Sequence, residues 1–156
     1  MSHENQYRLH QSLGYQLSVA ARLQERRLED CLKALGLTRL AWCVMLAVGN
    51  ERKLHPSEIA EFIGVDRTAT SRVLRKMELD QIIARAPDTS RGRSADGRMT
   101  SVHLTPKGRA LLERGTPFAR NNNAVLEKRL SDGEKSELRR LLAKLGAPED
   151  VALSRL

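Results

Sequence analysis

Apolar residues recur every three or four positions through the first half of the chain, and this spacing predicts four helices. The first is long, over roughly residues 6–34, because one face carries Leu9, Leu13, Leu17, Ala21, Leu28, Leu32 and Leu35. Gly36 then stands where a left-handed residue commonly ends a helix. Shorter helices are predicted over about residues 38–48, 56–63 and 66–79.

The period changes after these helices, where two short segments alternate in the manner of strands. They cover residues 83–87 and 101–104, and Asp88–Gly97 between them is rich in Ser, Gly and Arg. The pattern predicts a β-hairpin with a long, polar and basic tip.

Helical spacing returns after the hairpin. Thr105 followed by Pro106 is a typical helix start, and the fifth helix is predicted to continue to about residue 129. A capping box of Ser131 and Glu134 then opens a sixth helix that ends at Gly146.

The predicted fold is mainly α with a small β-hairpin, in a single domain over residues 1–156. The first helix and the last two, over about residues 6–34 and 106–145, carry more apolar surface than one chain of this size readily buries. A second copy of the chain would cover that surface, so we predict a homodimer held by these helices.

The composition fits a helical protein and excludes several classes. Only 3% of residues are aromatic, so the stacking platforms of single-strand and RNA binders are not expected. The longest apolar run, Ala41–Val48, is far shorter than the ~20 residues that a spanning helix needs. The N-terminus lacks the order of a signal peptide. We therefore expect a cytoplasmic protein with no membrane partner.

Positive charge is concentrated in one stretch of the sequence. The chain has 27 Lys and Arg against 19 Asp and Glu, a formal net charge of +8. Residues 66–109 hold ten basic and five acidic side chains, so under a third of the sequence carries most of the excess. Because a basic surface attracts phosphate polymers through counterion release, a nucleic acid partner is favoured.

The stretch from residue 55 to residue 74 has the spacing of a helix-turn-helix. Ala60 is small where the two helices would approach, and Gly64 permits a left-handed turn between them. Thr70 is the one weak anchor beside the apolar positions Ile59, Ile63, Val65 and Val73. Because a basic hairpin follows, residues 37–105 are predicted to form a winged helix-turn-helix that binds double-stranded DNA.

The candidate DNA-binding residues follow from this geometry. The start of the motif's second helix would present four side chains to the major groove, namely Arg67, Thr68, Ser71 and Arg72. Ser57, at the start of the motif's first helix, is a further candidate. The hairpin tip offers three arginines, namely Arg91, Arg93 and Arg98. We expect Arg98 to enter the minor groove and the other two to contact phosphates. A two-fold dimer would bind a pseudo-palindromic operator with half-sites about 10 bp apart.

These segments resemble the MarR family of winged-helix regulators. Asp96-Gly97-Arg98 is similar to the family's Asp-x-Arg wing motif, and Val102–Gly108 to its Val-x-Leu-Thr-x-x-Gly segment. Leu130–Glu134 and Leu141–Leu145 are similar to its last helix. The resemblance implies a triangular homodimer in which the first and last two helices interlock. It assigns Arg98 to the minor groove or its backbone, and Asp96 to orienting an arginine.

The resemblance also implies a transcriptional repressor released by a small phenolic or aromatic acid. The cleft that binds such ligands in the family would lie near His10, Arg39 and Trp42, although Trp42 also fits a place in the core. The chain departs from the family at Gln81, where the recognition helix usually ends in glycine. A glutamine in a left-handed cap would cost on the order of 1 kcal/mol. The wing is also longer than usual before Asp96.

Two alternatives remain open, an architectural DNA-binding protein with no effector and a redox-sensing regulator that uses Cys31. An architectural protein would keep its affinity for DNA when a small molecule fills a pocket in it. The second is suggested by the basic neighbours of Cys31, whereas Cys43 lies in an apolar run and fits core packing. An enzyme is not expected, because the sequence has no nucleophile–base pair or phosphate loop. No metal or cofactor is predicted, since the four histidines lack ligand spacing.

Overall fold

The computed structural model describes residues 6–87 and 100–146. After a 3₁₀ turn at Leu9–Gln11 come, in chain order, α1 (Leu13–Lys33), α2 (Arg39–Gly49), α3 (Pro56–Ile63), α4 (Arg67–Leu79), β1 (Ile83–Pro87), β2 (Thr100–Leu104), α5 (Pro106–Glu127) and α6 (Asp132–Leu145). The predicted order and type of the elements, mainly α with a small hairpin, are confirmed. The tip of the predicted hairpin lies outside the described residues.

The first helix begins later than its apolar period predicts. Ser12 has an extended backbone and caps α1, its hydroxyl accepting a bond from Tyr15 N over 3.4 Å. The prediction of a helix from residue 6 is therefore wrong at its start. Leu9–Gln11 form a separate 3₁₀ turn, and α1 begins only after the extended residue Ser12. The predicted end is confirmed: Gly36 has a φ of 70°, and Leu37 N donates to Leu32 O over 3.0 Å.

The core surrounds α2, which buries one side chain after another because its sequence is almost wholly apolar. Trp42 is 2% exposed and Val44, Met45 and Ala47 are fully buried. Neighbouring helices and strands add further buried residues to the same cluster, among them Leu32, Ile59, Leu74, Met77, Ile83 and Val102. Gly115 of α5 lies against the Trp42 ring so closely that a Cβ there would overlap it.

The two strands form an antiparallel hairpin in the register Ile83↔Leu104 through Pro87↔Thr100. In β2, Val102 and Leu104 are buried whereas His103 between them is exposed, which is the alternation expected of a strand with one covered face. Val102 N also donates to Leu54 O over 2.8 Å, so the loop before α3 is joined to the sheet.

The chain divides into two compact units, residues 1–119 and 120–156. The first contains the core and the hairpin. In the described part of the second, α6 begins at a capping box in which Ser131 N donates to Glu134 Oε2 over 2.8 Å, as predicted. No described residue of α6 is buried, and its leucines at 138, 141, 142 and 145 are 40–65% exposed. No helix in the described ranges is long and apolar enough to cross a membrane.

Helix α4 ends in a left-handed residue that is not glycine. Gln81 has a φ of 58°, and Ile82 N donates to Met77 O over 2.8 Å, the bond pattern of a Schellman cap. Glutamine pays a steric cost here that glycine does not, because its Cβ crowds the backbone.

We expect Gln81→Gly to raise the free energy of unfolding by about 1 kcal/mol, since it removes this strain and leaves the capping bonds in place. Urea denaturation measures the change. Gln81→Ala is the matched control: it removes the same side chain but keeps a Cβ, so its stability should stay close to that of the wild type. A gain from alanine equal to the gain from glycine would contradict backbone strain as the cause.

Candidate nucleic-acid interface

Helices α3 and α4 are joined by a tight turn that begins at a glycine. Gly64 has φ 66° and ψ 36°, and Val65 N donates to Ala60 O over 3.1 Å to close the end of α3. Asp66 then caps α4, its Oδ1 accepting from Ala69 N over 2.8 Å. Ala60 is 4% exposed, so the small residue lies where the sequence predicts close contact. The helix-turn-helix geometry is confirmed.

One face of α4 is fixed in the core and the other is presented to solvent. Leu74 and Met77 are buried, and Thr70, predicted as the weak anchor, is only 1% exposed. Its hydroxyl donates to Asp66 O over 3.0 Å, so this buried polar group is satisfied. The opposite face is exposed at all four predicted DNA-binding positions, Arg67, Thr68, Ser71 and Arg72.

A cleft of about 320 Å³ brings the starts of α3, α4 and β2 together. Ser57 lines it with Arg67 and Ser71, so three predicted site residues meet in space. The cleft also contains Thr100, which sequence reasoning missed because nothing in the sequence signals its proximity to α3. His55, the buried N-cap residue of α3, lines the cleft as well, and the sequence analysis did not place it there.

Charge is distributed unevenly along α4. At its C-terminal end two acids are paired with bases, Glu78 with Arg85 at 3.2 Å and Asp80 with Lys76 at 3.1 Å. Toward the N-terminal end, Arg67 and Arg72 make no ion pair with another described residue. The N-terminal half of α4 therefore carries two arginines against the single carboxylate of its cap, Asp66, and the helix dipole is also positive there.

The end of α4 is held by three residues at the start of α5, Thr105, Lys107 and Gly108, which we call the α5 clasp. Thr105 Oγ1 lies 2.7 Å from Gln81 O, and Lys107 Nζ donates to Asp80 O over 2.7 Å. Gly108 faces the Ile82 carbonyl oxygen so closely that a Cβ would overlap it. The clasp thus ties the residues that follow α4 to the start of α5, a connection that the sequence motif alone did not disclose.

The predicted residues of the wing tip, Arg91, Arg93, Asp96 and Arg98, lie outside the described residues. Their roles in DNA binding stay predictions. The described base of the wing, β1 and β2, has the predicted hairpin pairing.

The three residues predicted to line a ligand cleft lie on two segments of the chain, His10 in the 3₁₀ turn and the other two on α2. Arg39 NH1 pairs with Glu25 Oε1 of α1 at 3.2 Å. Trp42 is buried in the core, whereas His10 packs edge-on against Tyr15 with ring centres 5.2 Å apart. Among the described residues, His10 makes its ring contact with Tyr15 and not with Trp42, so a cleft shared by all three stays a prediction.

Both cysteines are free and half-buried. Burial raises the pKa of the Cys43 thiol, an effect that Arg39 opposes and Glu25 reinforces. A raised pKa disfavours the reactive thiolate, which is consistent with a packing role for Cys43. Within the described residues, no group of three His, Cys, Asp or Glu side chains could hold a metal ion.

Comparison with known proteins agrees with this geometry. A family model described as MarR family matches residues 35–94. The chain is 31% identical over 135 residues to the HTH-type transcriptional repressor Rv2887 of Mycobacterium tuberculosis, an alignment that covers 86% of this chain and 94% of that protein.

Solved structures resemble the fold as well, and two of them are compared with this chain below. One is the M. tuberculosis MarR family protein Rv2887 in complex with salicylic acid, with 31% identity, a TM-score of 0.60, and coverage of 86% of this chain and 96% of that chain. The other is a mutant MarR from Escherichia coli complexed with operator DNA, with 25% identity, a TM-score of 0.75, and coverage of 87% and 94%.

Proposed function

This chain belongs to the MarR family of transcriptional regulators, and from that premise we propose that it represses transcription by binding a pseudo-palindromic operator as a homodimer. The observation that carries the proposal is the exposed N-terminal face of α4, where Arg67 and Arg72 flank Ser71 beside Ser57. An α-helix fits the major groove of B-DNA, and residues at its N-terminal end are the ones that reach base edges.

The proposed roles differ between the two sides of the α3–α4 cleft. Arg72 lies one turn into α4 and can bind guanine O6 and N7 bidentately, which would read sequence. Ser57, at the start of α3, suits a phosphate oxygen, because hydroxyl groups and helix N-termini commonly bind the DNA backbone. The E. coli MarR structure with operator DNA supports this arrangement by its similarity.

The homodimer is proposed from surface that one chain leaves uncovered. Leu9, Leu13 and Leu17 on the N-terminal part of the chain are 42–75% exposed, and the four leucines of α6 are exposed as well. Exposed apolar side chains of this kind mark an interaction site, and a two-fold partner buries the same residues on both copies. The proposed dimerisation segments remain residues 6–34 and 106–145, in one domain with the winged helix-turn-helix at 37–105.

We further propose that a small aromatic acid releases the repressor from DNA in the cytoplasm, where the operator is accessible. The structure of Rv2887 with salicylic acid supports this class of effector by similarity. An architectural DNA-binding protein is the competing function. A gel-shift assay on the DNA flanking the chain's own gene, with and without salicylate, separates the two, because only a regulator with an effector loses affinity when salicylate is added.

Arg72→Ala is expected to weaken operator binding by about 1–3 kcal/mol and to relax the base preference at one position of each half-site, because a bidentate contact is lost. Binding constants on a set of single-base operator variants measure both effects. Lys76→Ala is the control on the same helix: its partner is Asp80, and it should change affinity little. Lower affinity with unchanged base preference would assign Arg72 to a phosphate instead.

A further inference from the structure

Helix α4 carries a further exposed arginine beyond the residues predicted to contact DNA. Arg75 lies in the middle of the helix, and it is absent from the predicted set because only the first turns were expected to reach base edges. The 13 residues of α4 extend over ~20 Å, which exceeds the ~12 Å width of the major groove. A helix of this length that lies along the groove brings its middle turn near the bases as well as its start.

Arg75 is on the side of α4 that is directed away from the core. Thr70, Leu74 and Met77 are buried and define the core side of the helix. Because successive residues are about 100° apart around the axis, Arg75 lies within about 50° of the direction opposite to these three. Arg72 lies on the same side, one turn earlier and also exposed. The two arginines thus extend from one face of the helix.

The spacing of the exposed residues on α4 fits a helix that lies along the major groove. Such a helix contacts bases through residues at positions i, i+3, i+4 and i+7. Thr68, Ser71 and Arg72 have the first three of these positions, and Arg75 has the fourth. The rise along the axis from Arg72 to Arg75 is ~4.5 Å, and successive base pairs are ~3.4 Å apart. The two arginines would therefore face different base pairs, one or two steps apart.

The acids nearest to Arg75 along α4 are engaged by other bases. Glu78 is three residues further on, a spacing at which arginine and glutamate pair on helices, but it pairs with Arg85 of β1 at 3.2 Å. Asp80 pairs with Lys76 at 3.1 Å. Arg75 makes no ion pair or side-chain hydrogen bond with another described residue. All five N–H donors of its guanidinium are therefore available to a ligand on the exposed face.

We propose that Arg75 is a second base-reading residue of α4, which donates to O6 and N7 of a guanine one or two base pairs from the pair that Arg72 contacts. The planar fork of the guanidinium matches these two acceptors in the major groove. The inference rests on the proposed function and deepens it, because it adds a G·C pair to each half-site as a position that this chain recognises.

The test uses the full-length protein and the duplex that it protects in footprinting of the DNA flanking its own gene. Each G·C pair is replaced in turn, at the equivalent position of both half-sites, and binding constants are measured for the wild type, Arg72→Ala and Arg75→Ala. At one G·C pair we expect the wild type to lose about tenfold in affinity per half-site and Arg75→Ala to lose little. The base preference that depends on Arg72 should be unchanged in Arg75→Ala.

A modified base tests the contact at the level of one atom. 7-Deazaguanine replaces N7 with C–H and keeps Watson–Crick pairing, so it removes one major-groove acceptor. At the pair assigned to Arg75 it should weaken the wild type by about tenfold and Arg75→Ala hardly at all, since a charge-assisted bond is lost only from the wild type. Lys76→Ala is the matched control: it removes the charge of the next residue, which is paired with Asp80, and should respond to 7-deazaguanine as the wild type does. Circular dichroism establishes that each variant is folded.

Two results would overturn the proposal. The first is an equal loss of affinity by Arg75→Ala on all sequences, with the salt-dependence slope lowered by about one, which would assign Arg75 to a phosphate. The second is unchanged affinity and base preference in Arg75→Ala, which would assign it to solvent. In both cases the wild type still binds its operator and the proposed function stands. Failure of the wild type to bind its own flanking DNA would refute the proposed function, and this inference with it.

Discussion

Gly108→Ala is expected to lower the free energy of unfolding by about 2–4 kcal/mol, although it adds a single methyl group in a helix. The methyl would overlap the carbonyl oxygen of Ile82, which is backbone and cannot rotate away as a side chain would. The first turn of α5 and the end of α4 must therefore separate.

That separation strains every bond of the α5 clasp. Thr105 N donates to Ile82 O over 3.1 Å, Thr105 Oγ1 lies 2.7 Å from Gln81 O, and Lys107 Nζ donates to Asp80 O over 2.7 Å. Each lost bond costs about 0.5–1.5 kcal/mol on top of the steric term. Because the clasp bonds to the residues that end α4, opening it should also displace α4, and operator affinity should fall with stability, even at temperatures where the variant is still folded.

Gly133→Ala is the matched control for this substitution. Gly133 is also in the first turn of a helix, but a Cβ there would have no neighbour within 4 Å. Alanine should be neutral or stabilise the protein by up to about 1 kcal/mol, because it restricts the unfolded chain. Urea denaturation with an unchanged m-value measures both variants. Equal stability of the two variants would show that the clasp tolerates a side chain and that its close approach does not matter.

The sequence predicted well the features that depend on one residue type in one backbone conformation. Gly36 and Gly64 were expected to be left-handed, and both are, because few other residues adopt that region without strain. The same reasoning marked Gln81 as a departure, and its φ of 58° confirms a left-handed cap without glycine. The hairpin was likewise predictable from its alternating pattern.

Features that depend on residues distant in sequence could not be predicted. Thr100 meets Ser57 at the α3–α4 cleft only after the sheet has formed its register with β1. Arg52 and Arg109 likewise line one cavity between the end of α2, β2 and the start of α5, and neither belongs to a recognisable motif. Thr105 was recognised as a helix cap, but its bond to Gln81 O depends on how α4 and α5 pack. The late start of α1 was missed because the apolar period continues through Ser12.

Leu13→Glu is expected to have the largest effect on DNA binding, although Leu13 is on α1 and the described residues proposed to touch DNA are on α3 and α4. Leu13 is 75% exposed in the single chain, so the charge should not disturb the fold of one protomer. In the proposed dimer the same position is buried, and an unpaired carboxylate there costs several kcal/mol at each of two symmetric sites. The protein should then sediment as a monomer.

Loss of the dimer would lower operator affinity by about a hundredfold or more, because two linked recognition helices bind two half-sites with a high effective concentration and a single one does not. Ser18→Glu is the control: it adds the same charge to an exposed position of α1, five residues on and about 140° around the helix from Leu13. Sedimentation and operator binding should be measured on both variants, with circular dichroism to establish that each is folded. A folded Leu13→Glu protein that remained dimeric and bound its operator like the wild type would remove the exposed leucines of α1 from the proposed interface. A monomer with full affinity would show instead that one winged domain is sufficient to bind DNA, and the two-fold operator would no longer be required.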